Sequence, residues 1–525
     1  MSQIVVNDLT FSYDTSYDNI FEHVSFQLDT DWRLGFIGRN GRGKTTFLKL
    51  LLGIYDYRGT ITTSVEFNYF PFEVEDMNVN TGTLIRDTIA PYSKWEEEME
   101  ECLKTDCKEP QLERYGILQE LYQSHDGYLI DELIEKELGK LQVDRNVLER
   151  PFATLSFGER TKIMLAALFL KKNNFLLIDE PTNHLDMEGR QILADYLQTK
   201  KGFILVSHDR SFLDQCIDHV LSINRSNIEI QKGNYSSWNQ NKERQDNYEL
   251  ETNEQLRKDI TVLSESARRA MGWSDQIEAS KIGTHAADRG AIGHKSAKMM
   301  KRAKSIERRK LEAIEEKKSL LKNIERSEAL KINTLEFPGK RLMEAERLSL
   351  YYEGRRISSE INFTLTKGDR LAIKGRNGSG KTTLFKLLLG EEVEHTGRYF
   401  VAPGLKVSYV SQDTSFLKGN LKDFAVNYGV DETIFKTVLR QLDFSRVQFE
   451  KDISEFSGGQ KKKVLLAKSL AEPAHVFVWD EPLNFVDVFS RIQIEELILD
   501  YQPTMVFVEH DRMFSEKIAT KQLEL

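Results

Sequence analysis

The chain has 525 residues, 73 Lys and Arg against 82 Asp and Glu, and a net charge of −9. Its three cysteines, Cys102, Cys107 and Cys216, are too few and too scattered for a disulfide framework or a zinc site. The longest apolar run, Ile163 to Leu170, is far short of the about 20 residues a membrane span needs, and no signal peptide opens the sequence. A reducing cytoplasm is the expected compartment.

Length allows roughly three domains. In chain order they are read as 1–237, 238–332 and 333–525. The first has an apolar strand from Arg33 running into a G-x-x-x-x-G-K-T loop and then a helix at Phe47. That context makes Gly38, Asn40, Gly41, Gly43, Lys44, Thr45 and Thr46 a phosphate cradle. The glycines let backbone amides wrap phosphates at a helix N-terminus. Lys44 reaches the terminal phosphates and Thr45 can ligate Mg²⁺. Downstream, Leu155-Ser-Phe-Gly-Glu159 precedes a helix expected from Lys162. An apolar strand then ends in Asp179-Glu180. Carboxylates at a buried strand end are costly unless they serve a metal or a proton transfer. Asp179 suits the Mg²⁺ shell, and Glu180 suits polarising water.

The second region, about Asn239 to Lys331, has no proline and is rich in Gln, Glu, Lys, Arg, Ala and Leu. It predicts two long antiparallel helices, with the glycines Gly272, Gly283, Gly290 and Gly293 marking a tip near 272–296. From Arg268 to Lys310 twelve Lys/Arg face four Asp/Glu, a local +8 in a chain of −9. Such a basic arm on an acidic body points to a polyanion, nucleic acid first. Lys295, Lys298, Lys301, Arg302 and Arg308 are the candidate RNA-backbone contacts. Trp273, Ile277 and Ile282 are the candidate apolar tip.

The third region repeats the first. Gly375, Asn377, Gly378, Gly380, Lys381, Thr382 and Thr383 form the second cradle, and Val476-Phe-Val-Trp-Asp480-Glu481 the second acidic strand end. Phe456-Ser-Gly-Gly-Gln460 matches the segment at Leu155, with a helix expected from Lys461. Lys44 and Lys381 lie 337 residues apart, whereas Ser156–Ser457 and Asp179–Asp480 are both 301 apart. The first copy therefore carries 36 extra residues, read as an acidic helical insertion over about 93–148.

These motifs resemble the ATP-binding-cassette family, whose signature is Leu-Ser-Gly-Gly-Gln. The fold expected is α/β: two tandem ABC-type P-loop ATPase domains joined by a long antiparallel helical hairpin. The resemblance implies that Tyr13 and Tyr352 stack on adenine and that Gln412 joins the metal shell. It also makes His208 and His510 catalytic switch residues beside Glu180 and Glu481, with ATP and Mg²⁺ as cofactors. Each ATP is then expected between one copy's cradle and the other copy's signature, Ser457, Gly458 and Gly459 or Ser156 and Gly158. That arrangement makes a monomer whose two cassettes pair within the chain. Phe72, Phe157, Glu159, Leu483, Phe485 and Glu509 depart from the family pattern and put the equivalence of the two sites in doubt.

Two cassettes, no membrane span and a charged linker look like the ABC-F class, whose members act on ribosomes. The long linker and the odd second motif around Glu481 resemble the antibiotic-resistance members of the Lsa/Vga type. That resemblance implies a 70S ribosome partner, with 23S rRNA and P-site tRNA, and neither DNA nor a membrane partner. It also implies E-site binding, a tip near the peptidyl-transferase centre and relief of lincosamide, pleuromutilin and streptogramin A inhibition. A housekeeping translation factor of the same class, an exporter ATPase subunit and a DNA-repair ATPase are the alternatives.

Overall fold

The structure is a computed structural model that describes residues 2–13, 19–104, 109–183, 185–223, 228–279, 301, 305, 308–309, 329–376 and 378–525, without the side chains of Glu109 and 266–279. The chain separates into two compact units, Met1–Ser236 with Glu328–Leu525, and Ser237–Ser327.

In the first unit each copy builds a mainly parallel sheet and an antiparallel one. In the first copy the parallel run is Glu66–Phe70, Asn174–Asp179, Phe203–Val206, Arg33–Ile37 and His219–Ile223, and Ile228–Lys232 closes it antiparallel. In the second copy the order is Val407–Val410, Val476–Asp480, Met505–Val508, Arg370–Lys374 and Lys521–Glu524, parallel throughout. These strands are continuous hydrophobic runs because helices and the second sheet cover both faces. Phe36, Phe47, Phe175 and Leu177 are almost wholly buried in one core, and Leu371, Phe385, Val478 and Val506 in the other. Each antiparallel sheet is centred on one long strand, Gln3–Phe11 or Arg341–Tyr352.

The consequence for function lies at the strand ends. Arg33–Ile37 and Asn174–Asp179 are one strand apart and run the same way, so the cradle and Asp179 emerge at one carboxyl edge, where α/β sheets bind ligands. The extra residues of the first copy contribute the helices Tyr92–Lys104 and Glu109–Ser124, whereas Ile130–Lys140, which the sequence reading placed in the insertion, has the second copy's Glu432–Gln441 as its counterpart at the same 301-residue offset.

Two boundaries differ from the sequence reading. The signature helices begin at the signatures themselves, Phe157–Leu170 and Gly458–Ala471, rather than at Lys162 and Lys461. Ser156 and Ser457 cap them, and Glu159 and Gln460 return the bond to the cap residue's own N–H. In the second unit the helix Tyr235–Ala279 runs through Gly272 without stopping. One helical glycine costs only about 1 kcal/mol, too little to break a helix of 45 residues. Ile282, Lys295, Lys298 and Arg302 lie outside the described residues, as does the proposed antiparallel return. Trp273 and Ile277 are helical in backbone, and Lys301 and Arg308 are helical and exposed. No helix among the described residues is long and apolar enough to cross a membrane.

The helix Ile130–Lys140 is tied to the body of the first copy by a buried charge. Glu137 accepts hydrogen bonds from Tyr196 Oη at 2.6 Å, Lys140 Nζ at 2.7 Å and Lys200 Nζ. Burial works to raise its pKa, but these three donors bring it down to about 2. Its contribution is therefore complete above the ordinary glutamate pKa of about 4.3 and is lost as pH falls toward 2. Glu137→Ala should cost about 2–3 kcal/mol at pH 7 and much less at pH 3, read by urea unfolding at the two pH values.

Candidate nucleotide sites between the cassettes

Both cradles are built on left-handed glycines. Gly41 and Gly43 have φ of 81° and 91°, and Gly378 and Gly380 of 82° and 92°, a conformation only glycine adopts freely. Each loop folds over its lysine. Lys44 Nζ donates to the carbonyls of Gly38 (2.6 Å) and Arg39 (3.1 Å) and approaches Asn40 Oδ1 at 3.4 Å. Lys381 Nζ donates to Gly375 O (2.8 Å) and Arg376 O (2.9 Å). Asn377 lies outside the described residues.

One cavity, of about 580 Å³, joins Tyr13, Lys44, Thr45, Thr46, Asp179, Glu180 and His208 of the first copy to Ser457, Gly458 and Gly459 of the second. A second, of about 1030 Å³, joins Tyr352, Lys381, Thr382, Thr383, Gln412, Glu481 and His510 to Ser156, Phe157 and Gly158. Phe157 is exposed on the wall of this larger cavity, its ring 5.5 Å from the Arg160 guanidinium carbon.

The metal candidates pair identically. Thr45 Oγ1 donates to Asp179 Oδ2 and Thr382 Oγ1 to Asp480 Oδ2, each at 3.0 Å. A hydroxyl and a carboxylate oxygen are the hard donors Mg²⁺ takes, so the set fits that ion. Gln412 lines the same cavity as Glu481 and helps to lower its pKa. The carboxylate at Asp179 also accepts from Tyr69 Oη at 2.9 Å, a residue the motifs did not reveal. Its counterpart Tyr409 stands one strand from Asp480, and burial, then the Asp480 charge, pushes its hydroxyl up to about 12. The one signal in sequence is a tyrosine near the end of the strand before each glutamine-loop position.

The two acids that follow differ sharply. Glu180 and Glu481 both sit at positive φ, 51° and 48°, which turns them off the strand into the cavity. His208 Nε2 is 3.4 Å from Glu180 Oε1, and that buried oxygen has no hydrogen-bond partner among the described residues. Burial and then the Asp179 charge push Glu180 up to about 8. Glu481 is instead held by His510 Nε2 at 3.2 Å, by Asn484 Nδ2 and by Gln412. Burial opposes, but these bonds and the His510 charge leave it below the usual glutamate range.

Two phosphate cradles, each with a metal pair, an acid and a histidine and each completed by the other copy's signature helix, define a tandem ATP-hydrolysing cassette protein. The sequence pattern of the family described as "ABC transporter" matches residues 21–183 and 358–484, more than half of the chain. This chain belongs to that family; it is an ATPase that uses ATP with Mg²⁺. Its relatives include the Bacillus subtilis (strain 168) "Ribosome protection protein VmlR", 28% identical over 528 residues, covering 99% of this chain and 86% of that protein. Another is the Escherichia coli (strain K12) "Energy-dependent translational throttle protein EttA", 26% identical over 529 residues, covering 96% and 89%. Among solved structures, the archaeal ribosome recycling factor aABCE1 in complex with stalk protein aP1 shares the fold, with TM-score 0.54, 18% identity and coverage of 98% and 87%.

The contrast between Glu180, pushed up to about 8, and Glu481, held below the usual glutamate range, predicts that the Lys381 site turns over faster. Glu481→Gln should cut steady-state turnover by about 10²-fold or more, and Glu180→Gln only a few-fold. Equal losses in a phosphate-release assay would contradict this asymmetry.

Proposed function

We propose that this chain is an ABC-F type ATPase that binds the 70S ribosome at the E site and protects it from antibiotics through its linker. The observation that carries the reading is the extent of the match to VmlR: it takes in 99% of the chain, so the basic linker is included and not the cassettes alone. In this reading Lys44 and Lys381 hold the terminal phosphates, and Tyr13 and Tyr352 stack on the adenines. Thr45 with Asp179 and Thr382 with Asp480, Gln412 nearby, hold Mg²⁺, which neutralises phosphate charge when bound. Glu180 and Glu481 polarise the attacking water, and His208 and His510 keep them oriented. Signature amides close over the γ-phosphate only when the cassettes close, so ATP clamps and hydrolysis releases. The arm's Lys and Arg grip 23S rRNA phosphates, because an A-form major groove hides its base edges. Trp273, Ile277 and Ile282 then work near P-site tRNA and the peptidyl-transferase centre, against lincosamides, pleuromutilins and streptogramin A compounds. The working compartment is the cytoplasm.

A housekeeping translation factor is the second reading, supported by the match to EttA over 96% of the chain. Growth of a deletion strain with and without these drugs separates the two: drug sensitivity alone supports protection, and slow drug-free growth supports the housekeeping role.

Two measurements test the mechanism. The double variant Glu180→Gln/Glu481→Gln should pellet with ribosomes under ATP at least about tenfold better than wild type, and equal pelleting rejects the clamp. Trp273→Ala should leave pelleting and turnover within about twofold while abolishing drug protection, since one stacking contact is worth about 1–3 kcal/mol at a tip. Full protection by that variant rejects the tip as the working end.

A further inference from the structure

Among the described residues, a buried charge network joins the two copies beside the Lys44 site, whereas beside the Lys381 site the cross-copy pair Arg376–Glu188, at 3.0 Å, is exposed. Arg210 follows His208 by two residues and opens the helix Arg210–Cys216. Its guanidinium is buried against the second copy, where Nη1 lies 3.3 Å from Glu495 Oε2 and Nη2 pairs with Glu495 Oε1 and lies 3.5 Å from Asp511 Oδ2. Glu495 and Asp511 are wholly buried. Asp511 also takes Arg491 Nη1 at 3.0 Å, and Arg491 stands close enough to Glu180 and His208 to act on the charge of both.

The repeat places Arg512, Ala194 and Asp209 at the corresponding positions on the opposite side. Arg512 turns instead to Glu516 at 2.8 Å, with both side chains more than half exposed. Ala194, Asp209 and Arg512 line a cavity of about 140 Å³ where the other side has the ion pair. Across the Lys44 cavity the first copy's Asn40 Nδ2 also donates to Phe485 O of the second at 2.9 Å.

We infer that Arg210 and Glu495 are positioning residues that clasp the cassettes on one side, so that the Lys44 site stays assembled while the Lys381 site opens and exchanges nucleotide. This rests on the reading of the two cavities as nucleotide sites. One-sidedness follows from Ala194: without a carboxylate there, the buried acid left near Arg512 is Asp209, already paired with Arg190 at 2.7 Å, and Arg512 pairs with Glu516 at the surface. The clasp keeps His208 and Glu180 against Arg491 through each cycle, and the opposite side swings.

The test follows release of N-methylanthraniloyl-ATP with Mg²⁺ from full-length protein carrying Glu180→Gln/Glu481→Gln, which blocks turnover. Release should be biphasic, with the slow phase lost in Lys44→Ala and the fast phase lost in Lys381→Ala. Glu495→Gln should speed the slow phase about tenfold or more and leave the fast phase alone. Ala194→Glu, which supplies the missing partner to Arg512, should slow the fast phase. A slow phase unchanged in folded Glu495→Gln, or both phases sped equally, overturns the clasp. If Glu495→Gln does not fold, Ala194→Glu decides alone, and an unchanged fast phase overturns the inference. If neither lysine variant removes a phase, it is the site assignment that fails, and this is seen before any clasp residue is changed.

Discussion

Carboxylates buried at the ends of central strands have to be answered by other charges, and both nucleotide sites are built on that need. Asp179, Glu180, Asp480 and Glu481 end strands with hydrophobic interiors, where an unpaired charge costs several kcal/mol. Part of the answer is local: a threonine hydroxyl and a lysine on the neighbouring cradle. For Glu180 the rest comes from the other copy. Asp487, Arg491 and Lys463 all act on Lys44, Glu180 or His208. Asp487 is itself held well below the carboxylate range, despite its burial, chiefly by Lys463 at 2.7 Å. The Lys44 site thus takes part of its electrostatics from residues of the other copy.

The departures of the second copy from the family pattern compensate one another. In the first copy Thr182 Oγ1 lies 3.3 Å from Ser207 Oγ, a neutral hydroxyl pair behind the acid. In the second copy both are replaced, by Leu483 and Glu509. Glu509 accepts from the backbone N–H of Leu483 at 2.7 Å and of His510 at 3.1 Å. The carboxylate does the work of two hydroxyls, and Lys462, whose counterpart is Thr161, adds a buried positive charge that Glu509 and Glu481 both feel. A substitution that looks like decay is a repacked hydrogen-bond set.

What was legible in the sequence is what is local. A cradle needs glycines and a lysine at fixed spacing within nine residues, so Lys44 and Lys381 declare themselves. The repeat offsets counted the extra residues of the first copy because two copies serve as each other's ruler, but about 93–148 took in Ile130–Lys140, a helix both copies share. Tyr69, Glu495 and Lys462 stayed hidden because each acts through a partner brought close only by strand order or by the meeting of the copies. Nothing in a run such as Ile494-Glu495-Glu496 tells which glutamate is wholly buried. The helix continuing past Gly272 is the opposite failure: a local signal was read, and it was too weak to matter.

The ends of the linker are anchored to elements of the Lys44 side. Where the chain leaves the first copy, Ser236 donates from its backbone at 2.7 Å and its hydroxyl at 2.5 Å to Asp214. Asp214 lies on the helix Arg210–Cys216, which follows His208 and carries Arg210. Where the chain re-enters the second copy, Leu330 and Ile332 are buried in its helical core, and Asn333 N–H donates to Leu470 O at 3.2 Å. Leu335 N–H and Ala474 add further backbone bonds at 2.7 and 3.2 Å. Leu470 lies in the last turn of Gly458–Ala471, the helix whose first turn carries the signature glycines of the Lys44 cavity. Both attachments of the linker are therefore made to elements of that one site, one from each copy.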